Sequence, residues 1–352
     1  MRTVDNQSNF IINKYLQSEI PNNMKKELAI LTKARHMEHS DMPIHDLSYY
    51  LKPLKQPEDD EIGLIYIIAS EQLKGKTELI GYARLEYRKD SGYNQNYGDL
   101  QIYVRKDKRN KGCGTQLLNA VRKEVPDFLT TINMFAEKDS ISNKILEKTF
   151  HIQKTFETRH YFSIIRELSI EKVLEMEREA IEKLDRGGLE IIYTDSNTFH
   201  EYENEYAQLL EVIWNIGRDS SEYEPFPVER LRGRMEYFKE GFNIFVHIFL
   251  VRKKSDKSLV AIAENILYET NAKVADESLI GVLDEFEDEQ IEHALRLKSL
   301  ALLLQETEVT HWESSLLKLD ENKQLNPKDE ILGFRIGKTF NRYTIPMEQF
   351  LN

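Results

Sequence analysis

Six residues, Arg109-Asn110-Lys111-Gly112-Cys113-Gly114, stand between an apolar run that ends at Val104 and a helical pattern that opens near Thr115. With Arg105, Lys106 and Lys108 just ahead of them, they set a basic cluster beside a Gly-x-Gly in an otherwise acidic chain. At a helix N-terminus the first backbone N–H groups lack intrahelical partners and the dipole is positive, so a pyrophosphate can accept several hydrogen bonds there. Gly112 and Gly114 let that backbone come close to a ligand, and Arg109 and Lys111 add charge, the arginine through a fork matched to phosphate oxygens. A plain turn with solvated lysines is the other reading of so short a pattern. The stretch is not a dinucleotide-binding fingerprint, which needs a third glycine within a βαβ unit, nor a P-loop, which closes on Gly-Lys-Ser/Thr.

The elements that must position this loop follow from periodicity. Residues 62–71 (IGLIYIIASE), 78–87 (ELIGYARLEY) and 99–104 (DLQIYV) are β-branched and aromatic runs between Gly-, Lys- and Asn-rich turns, which predicts three sequential hairpin-like strands. In TQLLNAVRKEV the residues Leu117, Leu118, Val121 and Val125 recur at helical spacing, so strand, glycine loop and helix run consecutively. TTINMFAE then predicts a strand, SISNKILEKTF a helix and HYFSIIREL a closing strand, while residues 10–51, IINKYL included, read as mainly helical. Residues 169–187 are strong helix formers that end on a glycine pair and predict a linker helix. The second half repeats the order, with strands at NIFVHIFLVRK, SLVAIAENILYE and DESLIGVL, a helix at EQIEHALRLKSLALLLQET and a strand at THWESSLL. An internal duplication at a spacing of one domain explains this.

The 352-residue length fits that organisation, since it exceeds what one hydrophobic core usually serves; the expected domains are 1–168 and 188–352. A formal charge of −12 argues against a nucleic-acid partner, whose phosphates call for Lys and Arg. Cys113 is the sole cysteine, so no intrachain disulfide can form. No run approaches the roughly 20 apolar residues of a membrane helix, and a cytoplasmic protein with no membrane partner is expected. The histidines have no metal-ligand spacing, so no metal is expected.

Arg109, Gly112 and Gly114 fit the pattern Arg/Gln-x-x-Gly-x-Gly/Ala, and in this the stretch resembles the acetyl-CoA-binding motif of the GNAT N-acetyltransferase superfamily. Asn143 in SNKIL is similar to the asparagine of that superfamily's penultimate helix. The resemblance implies an α/β fold with a mixed sheet, present as two tandem GNAT copies, an architecture similar to that of mycothiol synthase-like proteins. It implies acetyl-CoA as co-substrate, held by Val104, Arg105 and the loop from Arg109 through Asn110, Lys111, Gly112, Cys113 and Gly114 to Thr115, with Asn143 near the thioester. The second half resembles the superfamily in degraded form: Asn322 stands eleven residues (333 − 322 = 11) before Gly333-Phe334, as the pattern requires. Its cradle, however, carries Asp284, Glu285, Glu287, Asp288 and Glu289, which would repel a pyrophosphate.

Transfer to an amine needs a base and often an acid for the leaving thiolate. Asp99, after Gly98 at the start of the strand leading to the cradle, is the first candidate base, with a turn-capping role as its alternative; Glu137 is the second. The resemblance puts the acid seven residues after the helix asparagine, where this chain has Phe150 and, in the second copy, Asp329. Either the thiolate leaves without a dedicated acid, or another tyrosine such as Tyr161 serves as the acid, or the enzyme is inactive. Cys113 reads as a tight-turn residue and not as a nucleophile. Tyr103, Arg84 and Glu86 are candidates to line the acceptor site or are solvated strand-face residues, and the acidic, aromatic loop 219–227 either covers that site and attracts a cationic amine or is an ordinary surface loop. The expected function is N-acetyl transfer from acetyl-CoA to an amine of a small molecule by direct attack. A catalytically silent acyl-CoA-binding module and an acetyltransferase acting on a protein remain as alternatives.

Overall fold

The computed structural model describes residues 10–56, 62–73, 75–89, 96–216, 223–286, 289–306, 308–317 and 324–352. In chain order the elements are β1 (Ile11–Leu16), α1 (Asn22–His39), α2 (Leu47–Leu51), β2 (Ile62–Leu73), β3 (Lys76–Arg88), β4 (Tyr97–Val104), α3 (Cys113–Arg122), β5 (Thr131–Glu137), α4 (Ile141–Phe150), β6 (Phe156–Ser163) and α5 (Ile170–Arg186). There follow β7 (Leu189–Asp195), α6 (Glu203–Asn215), α7 (Val228–Glu236), β8 (Ile244–Lys253), β9 (Leu259–Tyr268), β10 (Asn271–Val282), α8 (Glu289–Leu303), β11 (His311–Ser314), α9 (Pro327–Ile331), β12 (Phe334–Pro346) and α10 (Met347–Leu351). None of the described helices is long and apolar enough to cross a membrane. The fold is α/β, with mixed parallel and antiparallel strand pairing flanked by helices.

Chain contacts divide the molecule into two units, one of Met1–Ser40, Ile44–Thr158 and Thr339–Asn352, the other of Asp41–Pro43 and Arg159–Lys338. In the first unit the strands run β1-β2-β3-β4-β5-β12. Neighbours are antiparallel except β4 and β5, which are parallel. Alternation sends Ile65, Ile67, Leu85, Leu100, Ile132 and Met134 to one face, where Leu117 and Val121 of α3 and Leu146 of α4 bury them. The other face carries Tyr66, Ile68, Tyr82 and Tyr103 beneath Leu28 and Leu31 of α1.

The second unit orders its strands β6-β11-β10-β9-β8-β7, again with one parallel pair, β10 with β11. Helices α6 and α7 bury Tyr206, Leu210 and Leu231 against β8 and β9. Helix α5, expected as a linker, is amphipathic and seats Val173 and Leu184 in this unit's cores, with Glu177 bonded to Lys298 of α8 at 2.6 Å.

Two local expectations differ from the structure. IINKYL is not helical: its apolar residues suit either period, and antiparallel pairing with β2 from Ile11↔Ser70 to Leu16↔Ile65 makes it a strand. The two ends of the halves are also exchanged. Phe340 to Pro346 of β12 pair with β5 of the first unit, while Tyr161 to Ser163 of β6 pair with β11 of the second.

Candidate active site

In the first unit the parallel pairing of β4 with β5 runs only from Tyr97↔Thr131 to Leu100↔Met134. Both strands continue past that point, β4 to Val104 and β5 to Glu137, so they part beyond the Leu100–Met134 pair. Peptide groups along the diverging edges no longer have each other as partners, and buried backbone groups of this kind call for some other hydrogen-bonding partner. The split therefore offers an extended slot suited to a chain-like ligand with amide groups.

The loop after β4 opens a second binding surface. Gly112, the N-cap of α3, has φ +82° with no neighbouring atom where a Cβ would stand, and Asn110 also has positive φ. No side chain caps α3; the first intrahelical donor is Gln116 N, 3.0 Å from Gly112 O. The N–H groups of Cys113, Gly114 and Thr115 are thus the orphan donors of the helix start, at the positive end of its dipole. Gly114 leaves space too, its Cβ position being 3.8 Å from Val104 Cγ2. The backbone fits a pyrophosphate.

The basic side chains are less free than their spacing suggests. Arg105 pairs with Glu78 and Asp107, and Lys108 with Glu71. Arg109 donates from Nε to Val104 O at 2.9 Å, pairs with Glu38 and lies over the Tyr103 ring, 5.6 Å from its centroid. Exposed Lys111 sits beside the glycine N-cap. Cys113 is turned into the core, where burial and Glu71 push its thiol up to about 11.

The last turn of α1 straddles the split. Glu38 accepts from Tyr103 Oη at 2.8 Å, on the β4 side. Burial pulls its carboxyl upward, but hydrogen bonds from Arg109 and Tyr103 outweigh that and hold it below the usual carboxylate range. The next residue, His39, reaches the β5 side: its Nδ1 lies 3.0 Å from Glu137 Oε2. Asp99 lies in the paired part of β4, in register with Glu86 of β3 and Asn133 of β5. It keeps solvent-exposed surface, yet its neighbours desolvate the carboxyl and raise it, with Asn133, Arg342 and Arg84 opposing.

Asn143 is buried on α4, where its Oδ1 accepts from Asn341 Nδ2 and Tyr343 Oη, each at 2.6 Å, and its Nδ2 donates to Glu147 at 3.1 Å. Phe150 is wholly in the core, stacked on Phe350 with centroids 5.9 Å apart. Tyr161 is packed in the second unit's core with Trp312 and Phe334. Val104, Arg105, the loop 109–115, Glu137 and, on α4, Asn143 all lie in the first unit, whereas Tyr161 belongs to the other. Sequence reasoning missed Glu38, His39 and Tyr343, whose partners lie 65 residues or more away in the chain and leave no local signal.

In the second unit the pairing of β10 with β11 ends at Glu277↔Ser314, the place corresponding to Leu100↔Met134. A buried polar network occupies it. Arg296 of α8 donates from Nε to Glu277 at 3.0 Å and from Nη1 to Asp329 at 3.3 Å, and Ser314 Oγ donates to Glu277 at 2.6 Å. Asp284 and Glu285 are exposed ahead of α8, while Glu287, Asp288 and Asn322 lie outside the described residues, as do 219–222 of the acidic loop. The rest of that loop is tied down locally, Glu224 by Arg230 and Phe226 in the α6–α7 core.

Comparison with known proteins bears on this split parallel pair and the glycine-capped helix beside it. Residues 31–142, from α1 to the start of α4, match the acetyltransferase (GNAT) family model. No curated protein matches the chain at a significant level. Among solved structures, a tandem GNAT protein from the clavulanic acid biosynthesis pathway superposes with TM-score 0.70 at 13% identity, covering 96% of this chain and 98% of its own. A GCN5-related N-acetyltransferase from Sphaerobacter thermophilus gives 0.62 at 14% identity over 96% of both chains. The glucosamine N-acetyltransferase region of a fungal multi-domain beta-N-acetylglucosaminidase gives 0.57 at 11% identity, covering 95% of this chain and 38% of that one. The family match thus covers the part of the chain from α1 to the start of α4, and over nearly its whole length the chain has the fold of tandem GNAT proteins.

Proposed function

We propose that the chain is an acetyl-CoA-dependent N-acetyltransferase whose first unit holds the co-substrate and delivers acetyl to an amine on a small molecule. The observation that carries this reading is the coincidence, on one strand-loop-helix segment, of the split after Leu100 and the open helix start at Gly112. The amides of Cys113, Gly114 and Thr115 and the charge of Lys111 and Arg109 hold the pyrophosphate; the released backbone of β4 up to Val104 holds the pantetheine. Acetyl-CoA supplies an activated acyl thioester, so the protein has to orient it, exclude water and accept a proton from the amine. On the α1 side of the sheet Glu38 pairs with Arg109 and Glu86 with Arg84, while Asp99 keeps exposed surface at which a carboxyl can attract a cationic amine. A cytoplasmic location, where acetyl-CoA and small amines are both found, belongs to the same proposal. One fold neighbour is named for glucosamine, an amine of this size.

The burial of Phe150 favours a second reading, a silent acyl-CoA-binding module, because it leaves no hydroxyl at the position of the usual acid. Release of CoA thiol separates the two. With acetyl-CoA and a panel of polyamines, amino sugars and amino acids, the transferase reading expects at least one amine to raise release well above the rate without amine. Acetyl-CoA binding with no acceleration by any amine would favour the silent module.

A further inference from the structure

The geometry points to His39 as the general base of this transfer, with Glu137 as the residue that positions it; the inference rests on the transferase reading above. His39 ends α1 and Glu137 ends β5, beyond the point where β4 and β5 part. Their contact, Nδ1 to Oε2 at 3.0 Å, is the only described hydrogen bond of the imidazole. An ionised carboxylate can only accept, so Nδ1 carries the proton and donates, which leaves the lone pair on Nε2. A carboxylate that fixes the tautomer and stabilises the imidazolium is the arrangement a histidine base needs. The ring is also held at its edge by Phe340, centroids 6.4 Å apart, and both His39 and Glu137 keep about a third of their side-chain surface open to solvent (32% and 28%). A base must be reachable by its substrate and restrained in orientation; this pair is both. Asp99, by contrast, sits where β4 and β5 are still zipped together.

Across one turnover the acceptor ammonium gives one proton to Nε2 of His39. Its freed lone pair forms the C–N bond to the acetyl carbon while the C–S bond breaks, the electron pair leaving on sulfur. The nitrogen's second proton ends on that thiolate as CoA–SH, and His39 returns its proton to solvent. The products are the neutral amide, CoA–SH and one released proton.

Two amines of similar size test the assignment with the full-length protein: ethylamine, an ammonium at neutral pH, and trifluoroethylamine, largely neutral there and in no need of a base to free its lone pair. His39→Gln is expected to lower turnover with ethylamine about 100-fold and to leave trifluoroethylamine near the wild-type rate. Glu137→Gln is expected to give a smaller loss, again confined to ethylamine, and both variants should retain acetyl-CoA affinity in calorimetry. Nitrogen-15 spectra of the wild type should show His39 protonated at Nδ1, with a mixed tautomer in Glu137→Gln. Equal losses with both amines, no loss with either, or a proton at Nε2 in the wild-type tautomer would overturn the assignment. So would a wild type that binds acetyl-CoA and acetylates neither amine. Failure of the wild type to bind acetyl-CoA at all overturns the transferase reading itself.

Discussion

Cys113 stands between the two cradle glycines, yet its side chain belongs to the core. It is buried in the same core cluster as Leu117 and Ile67, and burial with Glu71 nearby pushes the thiol up to about 11. Only the thiolate is nucleophilic, so almost none of it is reactive at neutral pH. Cys113→Ala is expected to keep wild-type turnover while losing on the order of 1 kcal/mol of stability for the lost packing. A fall in turnover far beyond what the denaturation midpoint explains would assign the thiol a part in the chemistry. Gly112 was legible as a turn glycine because backbone demands are local, whereas Cys113 and Gly114 belong to the first turn of α3. The ion pairs of Arg105, Lys108 and Arg109 were not legible, since Glu78, Glu71 and Glu38 reach them from other elements.

At the scale of elements, β12 decides whether the first unit has a closed core. Tyr343, Ile345 and, on the helix that follows, Phe350 are fully buried among residues of β4, β5, α3 and α4. Each such side chain is worth about 1.5–3 kcal/mol of burial, a large share of a domain's net stability. A fragment of residues 1–158 is therefore expected to be unfolded or aggregated, and the same fragment with residues 339–352 joined to its end through a flexible linker to regain a cooperative unfolding transition. Cooperative folding of residues 1–158 alone would contradict the account. Periodicity revealed most elements, including the strand, loop and helix around the cradle, because those signals lie within each segment. It could not reveal that β12 serves the first unit, since pairing such as Tyr343↔Met134 joins positions far apart in sequence. It also misassigned IINKYL, a six-residue run too short to separate the two periods.

Taken as a whole molecule, the chain repeats one architecture with different contents. In the first unit the last residues before the split are Leu100 and Met134, and the adjoining helix start is open. In the second, Glu277 and Ser314 occupy that place with Arg296 and Asp329 filling it, and carboxylates precede the helix. The duplication and the acidic second loop could be read from the sequence; the buried network around Arg296 could not, because its members are scattered over α8, β10, β11 and α9. On the proposed reading the chain has one acetyl-CoA site. Calorimetric titration of acetyl-CoA into the wild type and into Gly112→Asp tests this most directly, since the aspartate puts both backbone strain and a negative charge into the cradle. The account predicts saturable binding at a stoichiometry of one in the wild type and its loss in a variant that still unfolds cooperatively. Absence of binding to the wild type, or binding unchanged in Gly112→Asp, would contradict it.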